Sequence, residues 1–395
     1  MKILYISPKI PYPLYDGGKL RAFNQIKHLS KTYEIKSLSF IESTIELEKI
    51  DELKKYCSVE TIKWSKYRAV INCFFGVFLK KSLRVSLLKN KKFRKKAIQL
   101  TKESDYVIIQ SLRMTQYCFN PDKTIVDMVD TPSLLTKRTL NQINKVNIIS
   151  RIFWAIELSN IKKFETMIRR KIKTILVSSK DDLKALGNGI ILKHGVIIKD
   201  IKRIDPPENN LMFLGNLEYP PNIDAVIYFT DKIFPLIKSK IKDVKIYIVG
   251  IIPKKKKIYS YKKIPKKLIK YNHKDIIFTD YVENLDEYFS KCKVFVAPLR
   301  MGSGLQFKIL DALNYEIPIV TTSIVNQGIE AEVNKEILIA NNSEEFANRV
   351  IKLLKNEGLR KKLSTNGKKF LEKNYAWDNI LKQLDEILEK RIINL

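Results

Sequence analysis

The sequence predicts an α/β fold made of two doubly wound, parallel-sheet domains in succession. Three observations carry this. Short β-rich runs alternate with amphipathic stretches along the chain, the pattern of strand–helix–strand crossovers. The alternation halts at a polar, proline-bearing stretch, residues 203–210 (RIDPPENN), and restarts after it. At 395 residues the chain is long for one core and suits two.

Residues 3–7 (ILYIS) read as a buried first strand, because four apolar residues run unbroken up to Ser7, just ahead of Pro8. A loop with Pro8, Pro11, Pro13, Gly17 and Gly18 follows, then a helix over about 19–31. Strands are predicted at 34–40, 106–110 and 124–126, a long helix at 149–170, a strand at 174–177 and a helix opening near Ser179. Beyond the linker come a strand at 211–214, a helix over 223–240 and a strand at 244–249 ending on Gly250. Further strands fall at 276–279 and 294–297. From Ser343 onward the pattern is helical, and Ile380, Leu381, Leu384, Ile387 and Leu388 form a stripe that must dock on something already folded. The expected division is 1–202, 203–375 and a final helix, 376–395, packing back on the first domain.

Composition narrows the function. With 45% apolar and 29% charged residues and no low-complexity tract, the chain is globular. Cys57, Cys73, Cys118 and Cys292 lie far apart with no C-x-x-C pair, and only three histidines accompany them. That excludes a zinc site of the usual spacing and fits a reducing cytoplasm rather than a disulfide framework. The opening apolar run is too short, and its prolines too early, for a signal peptide.

Net charge is +31, and residues 1–200 carry +21 of it. Between Glu60 and Glu103 there are 13 basic residues and no acidic one, among them Lys63, Lys66, Arg68, Lys80, Lys81, Arg84, Lys91, Lys92, Arg94, Lys95 and Lys96. Inside this run lies AVINCFFGVFL, residues 69–79. Eleven residues cannot cross a bilayer, which takes about 20. A basic, aromatic, amphipathic segment can lie on an anionic membrane surface, and it can equally be a solvated face beside a buried helix. No nucleic-acid-binding signature accompanies the charge, so nucleic acid is not expected as a partner.

The segment KVFVAPLRMGSGLQFKILDALNYEIPIV carries the chemistry. A buried strand, 294–297, leads through Gly302, Ser303 and Gly304 into a helix over 306–314. Ligands of such sheets bind at the carboxyl ends of strands. Glycines let the backbone approach a phosphate, and a helix N-terminus presents free N–H groups and partial positive charge. Lys308 can add a full charge, and Asp311, three residues on, can accept two hydroxyl hydrogen bonds, as a ribose would offer. A lone G-x-G is equally a structural turn, with Lys308 and Asp311 as a surface pair. The segment is not a dinucleotide fingerprint, since Phe307 stands where a third glycine belongs, nor a P-loop.

The order of segments resembles the retaining GT-B glycosyltransferases of family 4, the glycosyl transferases group 1. MFLGNLEYPPNIDAVIYF (212–229), IYIVG (246–250), FTDYVENLDEYFSKCKVFVAPLRMGSG (278–304) and KILDALNYEIPIVTT (308–322) follow the family's order. So do SPKIPYPLYDGGKLRAFN (7–24), the helix FWAIELSNIKKFETMI, the turn ILVSSKDD and the terminal YAWDNILKQLDEIL. The resemblance implies two Rossmann-like domains facing a cleft and a nucleotide-sugar bound mostly by the second. Lys308 and Asp311 would be catalytic, with Asp311 on the ribose. Gly215, the Val282 backbone, Gly302, Ser303, Gly304, Leu305 and Gln306 would bind the donor. Gly17, Gly18, Arg21, Asp127 and Asp130 would face phosphates or acceptor. Ser303 stands where the family's first glutamate would be, and Asn216 with Pro221–Asn222 replaces a usual basic pair, which leaves the pyrophosphate charge to Lys308 and the loop amides. No histidine ends the strand that carries Gln110 and Arg113. His28, His194 and His273 are expected to have no catalytic part.

The implied reaction moves a sugar from a nucleoside-diphosphate sugar to a glycan or lipid-linked acceptor with retention. It uses no cofactor and no metal, and the setting is a cytoplasmic protein peripheral on the membrane. Two other classes remain open: a non-catalytic member that binds through its basic face, and a nucleotide-sugar epimerase, which would need more acidic and histidine side chains.

Overall fold

The computed structural model describes residues 1–395 except Tyr15, 43–49, 79–80, 144–147, Lys202, 253–267, 269–273, 302–304 and 394–395. Two compact units emerge. One comprises Met1–Gly195 with Ile380–Leu395, the other Val196–Asn379. The boundary lies ahead of the expected position at 202. Val196 already bridges Ala376, and Val196, Ile198 and Ile201 pack against the core of the second unit. The proline stretch is thus part of that unit rather than a linker.

The first unit is built on β1 (Lys2–Ser7), β2 (Glu34–Ile41), β3 (Ser58–Lys63), β4 (Tyr106–Gln110), β5 (Thr124–Asp127), β6 (Thr174–Val177) and β7 (Ile190–Ile191). Their order across the sheet is β3-β2-β1-β4-β5-β6-β7, every pair parallel. The second unit holds β8 (Asn210–Leu214), β9 (Lys245–Val249), β10 (Ile276–Asp280), β11 (Val294–Ala297), β12 (Ile319–Thr321) and β13 (Leu338–Ile339), in the order β10-β9-β8-β11-β12-β13, again all parallel. Each unit closes over its own hydrophobic core.

These orders decide where sites belong. In each sheet the strand order reverses next to its first strand, between β1 and β4 and between β8 and β11. The crevice outside the carboxyl ends of the strands at such a switch point is where open α/β sheets bind ligands.

Central strands such as β1 and β4 are covered on both faces and therefore read as continuous apolar runs. The edge strand β3 (SVETIK) is only half buried and mixes polar with apolar residues, so hydrophobicity does not announce it. The helix expected over 223–240 is interrupted. An α-helix at Pro220–Tyr228 passes through a π-turn at Phe229–Ile233 into a second helix at Phe234–Lys240. Pro235 lacks the N–H that would continue the regular ladder, and the wider turn absorbs the lost bond. The last helix, Trp377–Ile393, belongs from Ile380 onward to the first unit, where Asp385 pairs with His28 at 2.7 Å and Arg391 donates to the Asp122 carbonyl. Among the described residues no helix is long and apolar enough to cross a membrane.

Candidate active site

In the second unit, β8 and β11 deliver their ends to one place. Beyond β8 the chain turns through Gly215 and Asn216 into the helix at Pro220–Tyr228. Gly215 lies so close to Asn222 that a Cβ there would stand 2.8 Å from the amide carbon of Asn222. Gly250, at φ +137°, ends β9 against the Gly215 carbonyl, leaving no room for a side chain. The two glycines therefore let Asn222 reach the floor of the site. Its amide nitrogen donates to the Asn216 carbonyl at 2.8 Å, and its amide oxygen accepts from Lys308 Nζ at 2.5 Å.

Lys308 stands in the first turn of the helix Phe307–Asn314, which follows β11. Its ammonium lies 4.9 Å from the centre of the Phe213 ring. Lys308 and Asp311 do not pair with each other. Burial pulls the Lys308 ammonium down to about 7, and Asn222, a neutral acceptor, does not counter it. Burial likewise pushes the Asp311 carboxyl up to about 6, partly offset by the charge of Lys199. No side chain caps this helix N-terminus. An acid and a base held away from their usual ranges beside an uncapped helix end make this a candidate functional site.

Leu305 packs partly against the core, Gln306 occupies the N-cap position, and Val282 follows β10, half-buried against the same core. Gly302, Ser303, Gly304 and His273 lie outside the described residues. Arg300, three residues beyond β11, is bound bidentately to Asp224 at 2.6 and 3.0 Å over the Tyr228 ring, so its charge is spent on bracing the loop. Sequence reasoning singled out Asn222 as a missing cation. Its part in positioning Lys308 follows only from the approach of the helix behind β8.

In the first unit Arg21 and Asp127 are paired with each other. Both side chains are fully buried, and they bind each other at 2.6 and 3.1 Å. Two more guanidinium hydrogens go to the carbonyls of Leu192 and Lys193, and Asp127 also accepts from Gln25 and from the Val129 amide. Tyr5 donates to Gln25 and completes the network. The pair ties the helix Gly17–Leu29 to the ends of β5 and β7.

Gly17 and Gly18 are the first residues of that helix rather than part of a loop, with Asp16 as N-cap accepting from the Lys19 amide at 2.9 Å. Gln110, at the end of β4, donates to the Gly18 carbonyl, and the buried His194 ring contacts the Gly17 carbonyl at 2.9 Å. Burial lowers the His194 pKa. His194 thus serves to seat the glycine pair. Asp130, exposed as a residue, has its carboxyl pKa raised by desolvation and by the charge of Asp182. Its loop is fixed from below, where Asp182 accepts from the Thr131 amide and pairs with Ser179, the physical content of the V-S-x-x-D turn. Pro8, Gly18, Gln110, Ser111 and Asp130 line a cavity of about 390 Å³ at the ends of β1, β4 and β5, the switch point of this sheet. Among the described residues no group of three His, Cys, Asp or Glu side chains is placed to hold a metal.

Residues 208–356 match the sequence profile of the family described as Glycosyl transferases group 1. A Klebsiella pneumoniae protein, named "Uncharacterized 44.6 kDa protein in cps region", is 25% identical over 382 residues, covering 95% of this chain and 96% of that one. Among solved structures, HepE of Anabaena in complex with UDP is similar at 12% identity and a TM-score of 0.63, covering 99% of this chain and 100% of HepE. Sucrose-phosphate synthase of Thermosynechococcus elongatus is similar at 12% identity and a TM-score of 0.67 over the full length of both. TarM of S. aureus is similar at 13% identity and a TM-score of 0.64, covering 98% of each chain. Residues 208–356 thus carry the segment of the group 1 glycosyl transferases, and the chain has, over its whole length, the GT-B fold of these structures.

Proposed function

We propose that the protein transfers a sugar, with retention of anomeric configuration, from a nucleoside-diphosphate sugar to a glycan or lipid-linked acceptor in the synthesis of a cell-surface polysaccharide or glycoconjugate. The observation that carries this is Lys308, held by Asn222 at the uncapped N-terminus of a helix with Asp311 one turn further on. A cation and free backbone N–H groups stabilise the negative charge that develops on a departing diphosphate. Asp311 supplies the acceptor for ribose hydroxyls. Gly302, Ser303 and Gly304 would complete the phosphate grip, and Gly215, Val282, Leu305 and Gln306 would line the donor. The acceptor proton passes to the leaving phosphate, so no strong base is required of the protein. The cps-region relative supports a surface polysaccharide as product, and UDP in the HepE complex supports a nucleotide donor.

The setting we propose is the inner face of an anionic membrane. In the helix Lys66–Phe78, Tyr67, Val70, Ile71, Phe74 and Phe75 recur at helical spacing and are exposed, Tyr67 at 85%. Ile148, Ile152 and Ile156 form a second exposed stripe on the helix Ile148–Lys171. Exposed apolar residues gathered in this way, among the basic residues of the same unit, favour a lipid surface.

The test is incubation with UDP-, GDP- and ADP-sugars and an acceptor extract, read by release of the nucleoside diphosphate. Release with one donor is expected. A folded protein that releases none with any donor would be a binding module instead.

A further inference from the structure

The cavity at the ends of β1, β4 and β5 holds two cations that the donor chemistry does not use. Its walls include Arg84 and Arg113, and among the described residues neither guanidinium has a carboxylate within ion-pair distance. Arg113 makes only a long contact, 3.5 Å, to Ser111 Oγ. Both are half-buried, and they are near enough for Arg84 to add to burial in lowering the Arg113 pKa. Asp16 offsets the repulsion at Arg113 only in part, and two like charges held together with too little counter-charge are destabilising by themselves and become favourable when an anion sits between them.

Their placement is built into the unit. Glu157, buried on the helix Ile148–Lys171, accepts from Ser82 Oγ at 2.8 Å, from the Leu83 amide at 2.9 Å and from the Arg84 amide at 3.2 Å. This clamp fixes the short turn that carries Arg84. Ser111, at φ +76°, turns the chain sharply at the end of β4 and starts the turn that carries Arg113. Lys9 and Lys19 line the same cavity, so its four cations outnumber its two carboxylates, Asp130 and Asp16, the latter capping the glycine helix and facing Lys9 at 3.5 Å.

We infer that this cavity takes a phosphate or diphosphate carried by the acceptor, with Arg84 and Arg113 as the anion-binding pair. Arginine is suited to this because its planar fork binds phosphate oxygens bidentately. Ile161 lines the cavity from the same helix whose outer side bears Ile148, Ile152 and Ile156, so an acceptor could leave its phosphate at Arg84 and run an apolar chain along that helix. The inference rests on the transferase reading above and on the resemblance by which residues of the first unit would face phosphates or acceptor.

The experiment uses the full-length protein with Lys308→Ala, which removes the cation proposed to bind phosphate at the donor site. Calorimetric titration with inorganic diphosphate, farnesyl diphosphate and farnesol follows, in this background and with Arg84→Gln and Arg113→Gln added. Both diphosphates should bind and farnesol should not. The added pair should weaken both by roughly ten- to hundredfold, the worth of charged hydrogen bonds. UDP affinity of the Arg84→Gln/Arg113→Gln protein with Lys308 intact should equal that of the unaltered protein, which also reports correct folding. A farnesyl diphosphate affinity tenfold above that of inorganic diphosphate assigns a lipid-borne acceptor, and equal affinities assign a soluble one. The inference is overturned if diphosphate binding is absent or indifferent to the arginines, if farnesol binds as well, or if UDP affinity falls with them. Should UDP fail to bind the unaltered protein while diphosphate binds through the arginines, the donor reading falls and this one stands.

Discussion

Lys308 makes the donor site proton-linked, and the linkage can be worked out in advance. Its ammonium is desolvated and faces an amide oxygen and an aromatic ring, with no carboxylate, so its pKa falls from 10.5 to about 7. At pH 8 about a tenth of the empty sites then carry the charge. A bound diphosphate restores an opposite charge within hydrogen-bond reach and returns the amine to its protonated form. Binding UDP at pH 8 should therefore take up about 0.9 proton. The nucleotide adds little, since its terminal phosphate has a second pKa near 6 and is already ionised. The assay is calorimetry in buffers of different ionisation enthalpy, where the slope of observed enthalpy gives the proton count. Affinity should drop by up to about tenfold per pH unit above 7. For the empty protein the sign is opposite. Between pH 7 and 10.5 the unfolded chain holds the proton that the folded chain has lost, so the contribution of Lys308 to stability rises with pH across that window. Heats that are equal in all buffers, or proton uptake that persists in Lys308→Ala, would refute the assignment.

Three further outcomes are expected. Asp127→Ala should cost about 3–5 kcal/mol, because it strands a buried guanidinium; for a unit of this size that is a fall in melting temperature of roughly 6–20 °C. Arg21→Met with Asp127→Leu should recover much of it, and a single variant melting within about 2 °C of the parent would show that the pair is not the internal strut described above. Asp311→Asn should weaken uridine binding roughly tenfold at pH 7.5 while sparing inorganic diphosphate. The unaltered protein should lose uridine affinity as pH falls below about 6, where the carboxyl protonates, and a flat profile would remove Asp311 from the ribose. Phe74→Ser with Phe75→Ser should cut cosedimentation with anionic vesicles at least about tenfold, each ring being worth roughly 1.5–3 kcal/mol when buried. Replacing Lys91, Lys92 and Lys95 by Gln should do the same at low salt only. Vesicle binding that survives both sets would place the contact elsewhere.

The sequence by itself determined the central strands of both sheets but not β3, β7, β12 or β13, because a parallel strand covered on both faces must be a continuous apolar run, as ILYI, YVII and VFVA are. It also determined the Lys308–Asp311 helix, since residues three apart on one helix share a face whatever surrounds them. Where it failed, the reason is physical. The edge strand β3 is half solvated and so carries no hydrophobic signature. Arg21 and Asp127 stand 106 residues apart, and both have the chemistry of a phosphate-side site. Only the winding of the sheet, which brings the helix after β1 over the end of β5, shows that their charges are spent on each other. The same winding sets Arg113 behind β4 beside Arg84 from the basic run, so one arginine named only as the neighbour of a missing histidine and another counted among many surface charges become a pair. Local pattern specifies elements; which charges neutralise one another and which are left for a ligand is decided by neighbours distant in sequence, and those exist only once the sheets have formed.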